Sequence, residues 1–179
     1  LLISKGGKIS LYTRGDGSVG ANISYLLPYF HTIPKDLPDI AVRGELILKK
    51  KVFDKKYKGK TVNGRSYKNP RNMVSGLIGG KTARQGLDDI NFITYEIVAD
   101  SPEKPEKQLK TLKKLGFSLV KYQVVDEIDI PYLSKTLVEF RENSEYEIDG
   151  IIVQANQPYD RNTSGNPDYM FAFKMLMSD

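Results

Sequence analysis

The chain has 179 residues, 40% of them hydrophobic, with 27 Lys and Arg against 22 Asp and Glu, a net charge of +5. That length encloses one sizeable core, so a single unit over 1–179 is expected; without cysteine there is no disulfide framework or thiolate zinc site, and His31 alone cannot build an imidazole cluster. Any metal must be a hard cation on oxygen ligands. No apolar run reaches the ~20 residues of a membrane span and residues 1–10 lack a secretory pattern, so a soluble, cytoplasmic protein is expected, with a basic balance that suits a polyanionic partner.

In chain order, apolar runs at 1–4 and 8–14 flank Gly6-Gly7 and predict a hairpin. Asn22–Phe30 reads as a short helix broken at Pro28. Ile40–Leu48 alternates and is β-branched, which predicts a strand with Arg43 and Glu45 on one face. Residues 49–60 hold seven lysines and read as an exposed basic stretch of one or two helical turns, a possible nucleic-acid contact. Asn69 before Pro70 is a cap and first-turn pair, so 69–80 predicts a helix ending at paired glycines.

Further on, Asp89–Ala99 predicts a strand, and Lys107–Leu115 a helix stopped by Gly116. Phe117–Val125 predicts another strand, and Tyr132–Asn143 a helix with Leu133, Leu137 and Phe140 on one face. Ile148–Gln154 and Tyr169–Leu176 predict the last two strands, joined by a polar loop. Strands with scattered helices and hairpin-like pairs give an α+β class, antiparallel-rich, with flanking helices.

Chemistry concentrates in four segments where charges sit among glycines or apolar neighbours: Thr13–Gly17 (TRGDG), Arg43–Glu45 (RGE), Glu147–Gln154 (EIDGIIVQ) and Phe171–Met175 (FAFKM). Lys174 lies in an apolar, aromatic strand, where a buried ammonium requires an anion: a phosphate, Asp149 or Glu45. Alternatively it is an edge-strand lysine reaching solvent. Arg14 and Asp16 read equally as an internal ion pair in a glycine-rich turn, and Glu45 as a partner of Arg43 or of a lysine on a neighbouring strand.

Taken together, TRGDG, RGE, the NPRN helix start at Asn69–Asn72, DGIIV and FAFK, in that order, resemble the adenylation domain of NAD-dependent DNA ligases over roughly Tyr12 to Met175. The resemblance implies a nucleotidyltransferase (ATP-grasp-like) ligase core. Its reaction has a lysine attack the α-phosphorus of NAD, expel nicotinamide mononucleotide and form lysyl-AMP. AMP then passes to the 5′-phosphate of a DNA nick, which the 3′-hydroxyl seals. Carried over by position, Arg14 is a cation near the nucleotide or nick phosphate, and Asp16 orders that turn beside the nick. Glu45 contacts the AMP ribose, Arg71 lies at the mouth of the site near the nick, Asp149 places Mg²⁺ or its water, Ile152 packs on the adenine, and Lys174 neutralises the α-phosphate.

The implied partners are nicked duplex DNA and other domains of the same ligase, in a bacterial or viral intracellular setting. Three departures stand out. No Lys-x-Asp-Gly segment, the family's source of the nucleophile, occurs in the 179 residues; in the family it would fall a handful of residues before Leu1, so a partial domain without that strand is expected. Gln154 stands where a lysine is usual. Ala21 and Asn22 replace an acidic pair, and Gly79 an arginine, with Lys81 and Arg84 nearby. An ATP-dependent polynucleotide ligase or capping-like enzyme shares RGE, DGIIV and FAFK without NPRN, and a non-catalytic nucleotide- or DNA-binding module is the reading outside the enzymes.

Overall fold

The structure is a computed structural model that describes residues 1–15, 18–80, 85–162 and 165–175. Its fold is mixed α+β. A five-stranded sheet runs in the order β2-β1-β3-β6-β7, beside two small hairpins, β4-β5 and β8-β9. The strands of the main sheet are β1 (Leu2–Lys5), β2 (Lys8–Leu11), β3 (Ile40–Ile47), β6 (Asn91–Val98) and β7 (Ser118–Leu119). Helix α1 (Lys50–Lys56), the β4 (Thr61–Val62) and β5 (Arg65–Ser66) hairpin and α2 (Pro70–Gly79) fill the connection from β3 to β6. Helix α3 (Pro105–Lys114) links β6 to β7, and α4 (Ile130–Asn143) precedes β8 (Gly150–Gln154) and β9 (Met170–Lys174).

Alternation along the strands decides which face is covered. Leu2, Val42 and Phe92 are buried on one face of the sheet, and they join Leu26, Phe53, Met73, Leu77 and Leu112 in a continuous core. The opposite face carries the alternate residues of β3 and β6, including Arg43, Glu45, Asn91 and Glu96. Residues beyond α4 meet the sheet through that polar face. Asn91 Nδ2 donates to the Tyr146 hydroxyl at 2.9 Å, and Arg161 pairs with Glu96.

The first hairpin forms about Gly6 and Gly7 as expected. Asn69 caps α2, its side chain accepting from the Asn72 N–H, an interaction worth about 1 kcal/mol. Asp129 caps α4 in the same way, accepting from Tyr132 N–H, so that helix starts at Ile130 rather than Tyr132. Helix α3 likewise starts two residues early, with Pro105 in its first turn.

Two expectations fail. Ser24–Tyr29 is a 3-10 helix that runs through Pro28 instead of breaking there; so short a helix has few N–H bonds for proline to remove. The strand at Phe117–Val125 shrinks to Ser118–Leu119, paired parallel to β6 at the sheet edge. After Val120, whose N–H donates to the Thr94 carbonyl, the chain leaves the ladder, and Tyr122, Val124 and Val125 are exposed. Their alternation has no buried face to serve.

Gly44, the middle residue of RGE, is fixed by packing. A Cβ there would meet the Ile93 carbonyl oxygen at 2.4 Å and the Phe92 ring at 2.8 Å. Gly44→Ala should therefore lower stability by about 2–3 kcal/mol through overpacking against backbone. Equilibrium urea denaturation reads this as a reduced midpoint with unchanged slope; a midpoint equal to the parent's would show that the strands absorb the methyl group.

Candidate functional site

The β8-β9 hairpin sets the position of the FAFK lysine. Gly150 pairs with Lys174, Ile152 with Ala172 and Gln154 with Met170, so one hairpin face carries Lys174, Ile152 and Gln154 together. Lys174 Nζ lies 3.4 Å from Asp149 Oδ2, and both side chains are mostly exposed, which corrects the expectation of a buried ammonium. An exposed pair of this kind contributes about 0–1 kcal/mol and is readily exchanged for another anion. Ile152 is 64% exposed beside this cation. An open apolar side chain next to a loosely held ammonium suits a ligand with one flat, apolar part and one anionic part.

Two features hold this hairpin in shape. A Cβ on Gly150 would meet Lys174 Cγ and the Phe173 carbonyl oxygen, both at 2.7 Å, so glycine leaves the space across which the lysine stem lies. Arg141 of α4 donates from Nη2 to the Asp149 carbonyl at 2.9 Å and to the Met175 carbonyl at 3.4 Å, fastening the two strand ends together.

A second cluster sits on the polar face of the main sheet. Glu96 accepts Arg161 and lies 3.6 Å from Arg43 Nε, a buried nitrogen with no hydrogen-bond partner of its own. Glu45 is exposed on the same face, and its charge acts on Tyr95. Between Arg43 and Gly44 the pairing jumps from Glu96 to Thr94, so Tyr95 is the extra residue of a bulge. Burial first, then the Glu45 and Glu96 carboxylates, push the Tyr95 hydroxyl pKa up. Among the described residues Arg43 pairs with Glu96 and not, as one reading of the sequence had it, with Glu45.

The loop between β8 and β9 bridges the two clusters. Tyr159 stacks on Tyr169 with ring centroids 3.8 Å apart and donates its hydroxyl to the Gln154 side-chain oxygen. Two residues on, Arg161 reaches Glu96. Gln154 therefore has a specific neutral partner at a position where the sequence comparison anticipates a lysine.

The remaining expected site residues that the structure describes are bonded to neither cluster. Arg14 is exposed at the start of a loop closed by Thr13, whose N–H donates to the Ala21 carbonyl and whose hydroxyl accepts the Ala21 N–H. Arg71 is exposed at the start of α2. Among the described residues no hydrogen bond or ion pair links either arginine to Glu45 or to the Asp149–Lys174 pair. Asp16, Lys81 and Arg84 lie outside the described residues.

A cavity of about 220 Å³ is lined by Ile40, Ile97, Ala99, Ser101, Pro102 and Gln108, and a second by Asp100, Pro158, Tyr159 and Asp160. Neither contains an expected site residue. Among the described residues no three acidic or imidazole groups gather to hold a metal, and no helix is long and apolar enough to cross a membrane. Glu96, Tyr95, Arg141 and Arg161 were missed in the sequence. Strand alternation places Glu96 opposite Arg43, a usable signal, whereas Tyr95 depends on a bulge in β6 and Arg141 and Arg161 on helix and loop placement.

The chain matches the family described as NAD-dependent DNA ligase adenylation domain over residues 1–176. It is 41% identical over 181 residues to a DNA ligase of Acanthamoeba polyphaga mimivirus, an alignment that covers 97% of this chain and 27% of that protein. A DNA ligase-like protein of Invertebrate iridescent virus 6 is 36% identical over 186 residues, covering 98% of this chain and 29% of the relative. The chain thus spans less than a third of the length of these relatives.

Tyr159 yields a measurable pH effect. Burial, followed by the Glu96 and Tyr169 charges, raises its pKa to about 12, against about 10 in an unfolded chain. A raised folded value means that the stability contribution is whole below pH ~10 and is lost as pH climbs towards ~12. Urea midpoints should fall across that window, and Tyr159→Phe should flatten part of the fall. An identical pH profile for the variant would exclude Tyr159 as its source.

Proposed function

The chain belongs to the NAD-dependent DNA ligase adenylation domain family, and on that premise we propose that it forms the AMP-handling part of a nick-sealing ligase with a nucleotidyltransferase core. The observation that carries the proposal is the open β8-β9 face, where Lys174 and Ile152 share one side of the hairpin. In this reading adenine lies against Ile152 and the α-phosphate displaces Asp149 from Lys174. The Lys174 ammonium, once on the phosphate, stabilises the charge that builds up as nicotinamide mononucleotide departs. Glu45 accepts from a ribose hydroxyl, since an ionised carboxylate is an acceptor only.

The protein's nucleophilic lysine is proposed outside these 179 residues, which contain no Lys-x-Asp-Gly. Arg14 and Arg71 are proposed as contacts to the phosphates of the nick, with Asp16 ordering the turn beside Arg14. Mg²⁺ favours one or two carboxylates completed by water and substrate phosphates, and Asp149, once freed from Lys174, offers one such oxygen donor. The ion would supply additional positive charge to the nucleotide phosphates. The neutral Gln154 leaves Lys174 as the chief cation on the hairpin face.

Incubation of the intact protein with NAD or ATP labelled in the adenylate should leave label on the protein from NAD only. Lys174→Ala should slow that labelling by about 10²–10³-fold, the usual cost of removing one group that stabilises developing charge. Labelling at the parent rate would remove Lys174 from the chemistry, and labelling from ATP would overturn the choice of cofactor.

A further inference from the structure

The positive charge of this chain is not spread over its surface. Residues 49–71 carry eight lysines and two arginines against one acid, Asp54, while the rest of the chain has 17 basic and 21 acidic residues. The excess positive charge of the whole molecule therefore resides in one contiguous unit: α1, the β4-β5 hairpin and the first turn of α2.

That unit is well anchored from beneath. Phe53, Tyr57 and Val62 are buried in the main core, and a Cβ on Gly86 would meet Met73 and Leu77 of α2 and come within 3.7 Å of the Tyr57 ring. Asp89 accepts from both the Tyr57 hydroxyl and Lys56 Nζ. The hairpin turns on Asn63 and Gly64, both with positive φ, as a two-residue connection requires, and Asn63 Nδ2 donates to the Gln85 carbonyl at 3.0 Å. The backbone that presents the cations is thus held on the core side.

Three of the ten cations have protein partners: Lys49 with Glu145, Lys56 with Asp89, and Lys50 with the Arg141 carbonyl. The other seven, Lys51, Lys55, Lys58, Lys60, Arg65, Lys68 and Arg71, are all exposed. Among the described residues none of them makes an ion pair. Lys51 and Lys55 stand at i and i+4 of α1, where like charges repel and weaken the helix. A sequence that carries that cost, and places its acids elsewhere, is matched to an external polyanion.

We propose that residues 51–68 form a docking surface for the sugar-phosphate backbone of duplex DNA, lying beside the proposed nick contact Arg71. The partner rests on the ligase reading; the surface itself rests on the charge distribution. A cluster in sequence of exposed lysines and one arginine with no large exposed apolar side chain suits phosphates, which need point charges, better than a lipid surface, which rewards apolar insertion. Its affinity is sequence-independent and falls steeply with salt.

The test is a salt titration of intact protein on a nick-free duplex, comparing the parent with Lys51→Ala/Lys55→Ala/Lys58→Ala/Arg65→Ala. A control of equal charge change, Lys5→Ala/Lys8→Ala/Lys113→Ala/Lys114→Ala, removes cations elsewhere. Each lost phosphate contact flattens the plot of log K against log salt by about 0.9, so the first variant should lose about 3–4 of slope and bind at least ~10-fold more weakly near 0.1 M salt. The control should stay within about threefold of the parent, and adenylate labelling from NAD should be unchanged in both. Equal effects of the two variants, an unchanged slope in the first, or loss of binding to phosphatidylserine vesicles without loss of duplex binding would overturn the proposal. Absence of labelling in the parent would strike the ligase reading alone, because the duplex titration does not depend on it.

Discussion

Glu96 is the constraint on which the arrangement of the molecule turns. One carboxylate takes Arg161 from the loop between β8 and β9 and stands against Arg43 from the neighbouring strand, so it ties the polar face of the main sheet to the β8-β9 hairpin. Charges on a half-covered sheet face are tolerable when opposed charges share the space, and costly when one partner is missing. With Glu96 between them, two guanidinium groups can approach the same part of the sheet. The bulged Tyr95 directly precedes it in β6, and Tyr159 of the tyrosine stack lies two residues before Arg161.

The hydrophobic half of the fold was readable because strand alternation and helix caps are local signals. The strands expected over 40–48 and 89–99 and the helix expected over 107–115 formed, and they hold Val42, Phe92 and Leu112 in the core, while Asn69-Pro70 announced α2. The edge strand was misjudged for a reason equally physical: alternation at Tyr122–Val125 means a strand only if one face becomes buried, and Tyr122, Val124 and Val125 are all exposed. Asp129-Ile130-Pro131 carries a cap-and-proline signal like that of α2, ahead of the apolar face of Leu133, Leu137 and Phe140.

Of the candidate site, the sequence placed Lys174, Asp149 and Ile152 on what proves to be one hairpin, and their proximity follows from the β8-β9 register. It could not place Arg14 or Arg71 relative to that hairpin, since long connections with no period of their own intervene. It also overestimated the burial of Lys174: aromatic neighbours in a strand indicate a core only when another layer covers them, and Phe171 is itself half exposed. Membership of the ligase family came instead from the order of short motifs, which survives where individual positions such as Gln154 diverge.

At Gly150 the pose of a charged side chain is governed by a missing carbon atom. The lysine stem occupies the volume that any other residue at 150 would fill, so the ammonium's direction is encoded on the opposite strand and not at position 174. Relatives that keep both the acid and the base of this pair, yet carry a side chain at the intervening glycine, would retain the charges while losing their geometry. Inventories of charged residues alone would class such proteins as intact.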